Sequence, residues 1–150
     1  MTPAALQSYL HEHIPLSQAM GVQVVSLADD GVVLAAPLAP NINHRDTVFG
    51  GSASAVAILS AWCLLHLRLT AAGQPSRVVI QRNTMEYLAP IAGDFTARSA
   101  LNSDEDWTRF RTTLSRRGLA RINVTAVIDY AGAAAGRLSG EFVAFGGDRL

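Results

Sequence analysis

The run Ala53–Leu65, ASAVAILSAWCLL, constrains the fold more than any other feature: in thirteen residues only Ser54 and Ser60 are polar. A helix built from it is apolar on almost every side, so the rest of the protein must enclose it. The run is short for a bilayer span, is interrupted by two serines and is followed by His66 and Arg68, so it reads as a buried core helix. The helix is expected from about Ser52, just after Gly50 and Gly51, to about Thr70, with AAGQPS ending it. Whatever wraps this helix must come from the shorter runs on either side.

Those runs are mostly β-rich. Pro3 followed by AALQSYLHEH suits a short helix with proline in its first turn, ended before Pro15. GVQVVSL and GVVLAAPL flank ADDG, whose Asp-Gly is a hairpin signal. After the central helix, RVVIQRNTMEYL reads as a strand closed by Pro90, and DFTARSALN as another after Gly93. In DEDWTRFRTTLSRRG, Trp107, Phe110 and Leu114 form a helical stripe, with Asp104 or Asp106 as an acidic start and Gly118 as a stop. Because TRFRTTL also alternates, a strand reading of that segment stays open. ARINVTAVIDYAG and GRLSGEFVAFG are two long strands around the turn AGAAAG. The expectation is an α+β domain over residues 1–150, a curved and mostly antiparallel sheet wrapped on one long buried helix.

Composition removes several functions. The 12 basic residues, all arginine, balance 12 acidic ones, so overall charge does not call for nucleic acid or a membrane surface as partner. With no lysine, Schiff-base and lysine-base chemistry are excluded. Cys63 is the single cysteine. It permits no intramolecular disulfide or cysteine metal cluster, and its apolar surroundings suit a buried structural thiol. MTPAALQSYLHEHIPL lacks the basic and apolar regions of a signal peptide, so the cytoplasm is the expected compartment.

The most informative stretch precedes the central helix: HIPLSQAMGV, then APLAPNINHRDTVFGG, with YLAPIAGDF later. Over nearly its whole length the chain resembles the hot-dog fold of acyl-thioester enzymes. Within that class it is similar to a bacterial thioesterase-like group that also occurs as the C-terminal half of an acetyltransferase fusion. The resemblance implies malonyl-acyl-carrier-protein decarboxylation, which supplies acetyl primers for fatty acid synthesis. It also implies a homodimer, or such dimers paired into a tetramer, in which the loop of one subunit faces the helix of its partner. No cofactor or metal is implied, the substrate being carried on the phosphopantetheine of acyl carrier protein or of coenzyme A.

The wider class places a histidine before two glycines, an asparagine six residues ahead of that histidine, and an acidic residue nine after it. In this chain Phe49 holds the histidine position, Asn43 keeps the asparagine, and Ile58 stands where the acid would be. Hydrolysis needs a base to activate water as well as an oxyanion donor. Gly50 to Thr70 contains no Asp or Glu, so a base would come from Asp46, Glu86 or a second subunit. Decarboxylation needs no base, only donors at the thioester carbonyl and an apolar wall. Asn43 supplies a donor that does not titrate, and backbone N–H groups around Gly51 and Ser52 could supply a second.

Other candidates have plainer alternatives. Asn43 could be an Asx-turn residue, Asn41 suits a turn after Pro40, and His44 is placed to protonate an enolate yet equally suits solvent. Gly50 and Gly51 permit either a tight turn or close approach of a thioester. Ser52 fits a helix cap better than a nucleophile, since no nucleophile elbow surrounds it. Arg109, Arg111, Arg116 and Arg117 form either a solvated face or a docking patch for an acidic carrier or coenzyme A phosphates. The rivals to decarboxylation are an acyl-coenzyme A or acyl-carrier thioesterase and a non-catalytic acyl-binding module.

Overall fold

In the computed structural model, residues 1–146 are described; the last four residues of the expected domain, 147–150, lie outside them. The elements run α1 (Pro3–His13), α2 (Pro15–Ala19), β1 (Gln23–Ala28), β2 (Gly31–Ala36), α3 (Gly50–Ala71), β3 (Ser76–Tyr87), β4 (Phe95–Leu101), α4 (Asp104–Arg117), β5 (Leu119–Tyr130) and β6 (Ala133–Gly146). All six strands join one sheet in the order β1-β2-β4-β5-β6-β3, and every pairing is antiparallel. α3 lies against the inner face of this sheet, and the architecture is that of the hot-dog fold.

Local chemistry explains most boundaries. Thr2 caps α1 by accepting from the Ala5 N–H at 3.1 Å, and Pro3 occupies the first turn. Pro15 ends α1 as expected but opens α2, a five-residue helix that the sequence pattern did not suggest; proline suits a first turn, where its missing N–H costs nothing. Ser103 caps α4 through the Asp106 N–H at 3.1 Å, and Gly118 ends it at φ 69°, so the segment is the helix rather than the strand. The β5–β6 turn is tighter than AGAAAG suggests. Only Ala131 and Gly132 turn, both at positive φ, while Ala133–Gly136 belong to β6.

The first hairpin forms, but Gly31 serves it differently than expected. The turn is Asp29–Asp30, and Gly31 is the first residue of β2, paired with Ala28. A Cβ on Gly31 would sit 2.4 Å from the Ser99 carbonyl oxygen. Its role is therefore close approach of β2 and β4 backbones rather than a positive φ.

α3 starts at Gly50, two residues earlier than expected, and reaches 22 residues. By length and composition such a helix could cross a membrane, but ten of its residues, among them Val56, Ala57, Leu64 and Leu65, are buried by the protein. Each buried leucine contributes about 2 kcal/mol. Facing it are Leu34, Ala97, Val124, Ile128, Leu138 and Phe142. Ser60, the polar intruder, is fully buried and donates to the Val32 and Ala97 carbonyls at 2.8 and 3.2 Å, which removes the cost of burying a hydroxyl. Cys63 is fully buried too, and burial pushes its thiol up to about 12, consistent with an inert structural role.

Candidate active site

The loop from Pro37 to Phe49 is held by two asparagines. Asn41 is 2 % exposed, and its Nδ2 donates to the carbonyls of Met20 and Pro37 at 2.9 and 2.8 Å. Its own carbonyl accepts from the Phe49 N–H at 2.7 Å. Asn41 thus ties the end of α2 and the loop's first residue to the residue that enters α3, a larger role than the local turn expected. Asn43 is the second. Its Oδ1 accepts from the Arg45 and Thr47 N–H groups at 2.8 and 3.2 Å, and its Nδ2 donates to Thr47 Oγ1 at 2.9 Å. A further Nδ2 contact, to the Val48 carbonyl, is 3.4 Å long. The two accepted N–H groups fix the amide's orientation, and the Asx-turn reading of Asn43 is present in the structure. Asp46 follows at φ 62°, a conformation aspartate tolerates, and its side chain is exposed.

Phe49 precedes α3 as its N-cap residue and supplies no side-chain cap. Ser52, expected to cap, lies inside the first turn instead, where its backbone N–H donates to the Phe49 carbonyl at 2.9 Å. Among the described residues the Gly50 and Gly51 N–H groups find no acceptor, and they carry the positive end of a long helix dipole. Two rings close over these glycines. A Cβ on Gly51 would meet Phe49 Cε2 at 2.4 Å, and one on Gly50 would meet Tyr87 Cε1 at 3.2 Å. Tyr87 also donates its hydroxyl to the Gly50 carbonyl at 3.1 Å. The glycine pair thus leaves room for the two rings at the helix start, and its φ values are not positive.

The surround is apolar and open. Ile42, Phe49, Tyr87 and Leu88 are all about half exposed, and the Val48 N–H donates to the Ile91 carbonyl at 2.8 Å, joining this loop to the segment after β3. Farther along α3, Ile58 and Trp62 are half-buried, and Trp62 Nε1 donates to the Val78 carbonyl at 2.9 Å. His66 stacks between Trp62, 4.8 Å away, and Tyr9, 5.2 Å away, and burial lowers its pKa from the usual histidine value.

Several sequence candidates lie elsewhere. Glu86 pairs in register with Arg137 and is adjacent to the inward-facing Tyr87, so it projects from the opposite face of the sheet. It therefore cannot serve as a base for this site within one chain. His44 is exposed, with Arg45 Nε donating to its Nε2 at 3.4 Å. The arginine cluster divides. Arg111 Nε donates to Gln74 Oε1 at 2.7 Å and is structural, while Arg109 pairs with Asp106 at 3.4 Å and Arg116 and Arg117 are exposed in the last turn of α4. α4 docks at the far end of α3, where Arg68 lies over the Trp107 ring at 4.5 Å, about 27 Å along the helix from Gly50.

Tyr87 is the site residue that sequence reasoning missed. YLAP was visible as a motif, but only the pairing of β3 with β6 brings the ring onto Gly50.

A wrapped central helix entered through an asparagine-held loop and a glycine pair defines the class: a hot-dog-fold protein related to thioesterases. The chain belongs to the YiiD_C family, described as "Putative thioesterase (yiiD_Cterm)", whose model matches residues 3–146. A protein of unknown function from Chlorobaculum tepidum TLS is 27% identical, with a TM-score of 0.91, covering 97% of this chain and 94% of that one. A thioesterase described as putative from Shewanella oneidensis is 24% identical, with a TM-score of 0.84 over 95% of this chain and 96% of that one. A thioesterase from Haemophilus influenzae is 13% identical, with a TM-score of 0.77 over 97% and 92%. At such identities the last two establish the fold alone.

Proposed function

We propose that this protein decarboxylates a malonyl group held as a thioester on acyl carrier protein, leaving the acetyl form that primes fatty acid synthesis. The observation that carries this reading is the start of α3: two glycine N–H groups without an acceptor, at the head of a helix that has no carboxylate anywhere along it. The bond between the malonyl methylene and its carboxylate breaks, carbon dioxide leaves, and the electron pair moves into the thioester carbonyl as an enolate. A proton then reaches the carbon. Only donors at the developing oxyanion are needed for the first step, each supplying about 3 kcal/mol.

In this reading Asn43 Nδ2 exchanges its long 3.4 Å contact with Val48 for the thioester oxygen, keeping Thr47 as its anchor. Gly50 and Gly51 supply further donors, Phe49, Tyr87 and Ile58 line the approach, and exposed His44 is the candidate proton donor to the enolate. Carrier docking falls to Arg109, Arg116 and Arg117, without Arg111. Since α4 docks beside Arg68, about 27 Å along α3 from Gly50, docking serves the loop of a partner copy whose helix runs antiparallel. β3 is the route to that partner: it is a sheet edge of 12 residues, exposed along most of its length, with unpaired backbone groups that a second β3 can satisfy. The cytoplasm is the compartment that goes with this substrate.

The family description favours a second reading, thioester hydrolysis. It requires a base, for which exposed Asp46 and a partner's side chain are the candidates. Malonyl-loaded carrier followed by intact mass separates the readings. Loss of carbon dioxide with acetyl retained is expected; release of the whole acyl group would replace this proposal with hydrolysis, and an unchanged carrier would leave only an acyl-binding module.

A further inference from the structure

Three consecutive residues at the head of α3 are each tied to another part of the chain. The Val48 N–H donates to the Ile91 carbonyl at 2.8 Å, the Phe49 N–H donates to the Asn41 carbonyl at 2.7 Å, and the Gly50 carbonyl accepts from the Tyr87 hydroxyl at 3.1 Å. Tyr87 is itself fixed at the end of β3. It pairs in register with Gly136, and the next two N–H groups, of Leu88 and Ala89, both donate to the Ala135 carbonyl, at 2.9 and 3.3 Å. The hydroxyl reaches its acceptor because Gly50 has no side chain: a Cβ there would lie 3.2 Å from Tyr87 Cε1 and 3.5 Å from its Oη. A carbonyl oxygen has two lone pairs, so Gly50 serves Tyr87 and the hydrogen-bond ladder of α3 together.

The Gly50 carbonyl and the Gly51 N–H belong to one planar peptide group. A donor on its oxygen draws electron density from the nitrogen and makes the N–H a stronger donor, as in any chain of hydrogen bonds that polarise one another. That N–H is one of the two that find no acceptor among the described residues. We propose that Tyr87 is a positioning residue acting through this peptide: its hydroxyl holds the first turn of α3 and strengthens the Gly51 N–H as a donor to the thioester oxygen. The inference rests on the reading of the glycine N–H groups as oxyanion donors. It applies to decarboxylation and to hydrolysis alike, since both put negative charge on the same oxygen. Cooperative strengthening of about 10–30% in a donor that supplies about 10²–10³ in rate corresponds to roughly two- to eightfold. Because the oxygen becomes charged only in the transition state, the change falls on kcat and leaves KM unaltered.

The test compares wild type with Tyr87→Phe and with a protein carrying meta-fluorotyrosine at position 87, at neutral pH, with absorbance showing that the phenol holds its proton. Circular dichroism confirms the fold, which the loss of one hydroxyl from a largely exposed ring leaves intact. Two quantities are read: the steady-state conversion of malonyl-loaded carrier by intact mass, and the resonances of the Gly51 amide without substrate. Tyr87→Phe keeps the ring, and its kcat is expected to fall roughly two- to eightfold at constant KM. Fluorine makes the phenol a stronger donor in the same place, so kcat is expected to rise above wild type. The Gly51 amide is expected to be progressively deshielded from Tyr87→Phe through wild type to the fluorinated protein. A tether that only holds the turn would leave the fluorinated protein equal to wild type, and a ring that only walls the site would leave Tyr87→Phe equal as well; either result overturns the proposal. A wild type that turns over no carrier would remove the reading of the site as a thioester enzyme, and the amide resonances would then decide the role of Tyr87, an absent order overturning it.

Discussion

Replacing Asn43 by aspartate separates its two possible roles, because the loop bonds use Oδ1 and one Nδ2 hydrogen, while the other Nδ2 hydrogen has only the 3.4 Å contact to Val48. The aspartate would keep the oxygen that accepts from Arg45 and Thr47 at 2.8 and 3.2 Å. The bond to Thr47 Oγ1, now donated by Nδ2 at 2.9 Å, survives in reverse, since a threonine hydroxyl can rotate to donate to a carboxylate. What is lost is the N–H nearest Val48, the group proposed to polarise the substrate. Stability is therefore expected to change by no more than about 1 kcal/mol, because one weak, partly exposed contact becomes mildly repulsive. Rate is expected to fall by about 10²–10³, equivalent to roughly 3–4 kcal/mol for one oxyanion donor. Asn43→Ala differs: it removes the loop bonds as well, adding about 1 kcal/mol of destabilisation to the same kinetic loss. The assay is the initial rate of conversion of malonyl- to acetyl-carrier by intact mass, alongside urea midpoints for the three proteins. If Asn43→Asp decarboxylated within threefold of wild type, Asn43 would be a loop residue only, even were the activity confirmed.

Three further outcomes are expected. Gly51→Ala places a methyl 2.4 Å from the Phe49 ring; because Phe49 is 57% exposed and free to swing aside, stability should hold within about 1 kcal/mol while turnover falls at least tenfold, and unaltered turnover would remove the ring-covered glycines from the site. Gly31→Ala puts a methyl against the Ser99 carbonyl, a backbone atom that cannot swing away, so a loss of about 2 kcal/mol or more in urea unfolding is expected, and a neutral result would mean the β2–β4 contact is looser than described. Burial lowers the pKa of His66 in the folded state, so the folded protein binds its proton less readily than the unfolded chain. That disfavours folding as pH falls below the unfolded value of about 6.5 and has no effect above it. The melting temperature of wild type should thus drop below about pH 6.5 relative to His66→Phe, and parallel profiles of the two proteins would show that His66 does not sense pH.

Properties written in local pattern could be read directly from the order of residues. The thirteen-residue run around Ser60 has no solvent face, so it had to become a wrapped helix whatever surrounded it. Trp107, Phe110 and Leu114 recur at helical spacing, and Ser103 and Gly118 lie where caps belong, although the competing alternation in the same segment needed the fold to decide it. The lack of a carboxylate from Gly50 to Thr70, on which the proposed preference for decarboxylation over hydrolysis rests, is also visible without a structure. Strand order and register are not, because pairing joins residues far apart in the chain through backbone groups that every residue carries. Only the pairing of β3 with β6 puts Tyr87 over Gly50 and turns Glu86 to the other face, and only the docking of α4 ties Arg111 to Gln74 while leaving Arg109, Arg116 and Arg117 outward. The same holds for Asn43. Its type and position are visible in NINH, but which amide groups the loop binds firmly and which N–H keeps only a 3.4 Å contact is decided by the folding of that loop against the start of α3.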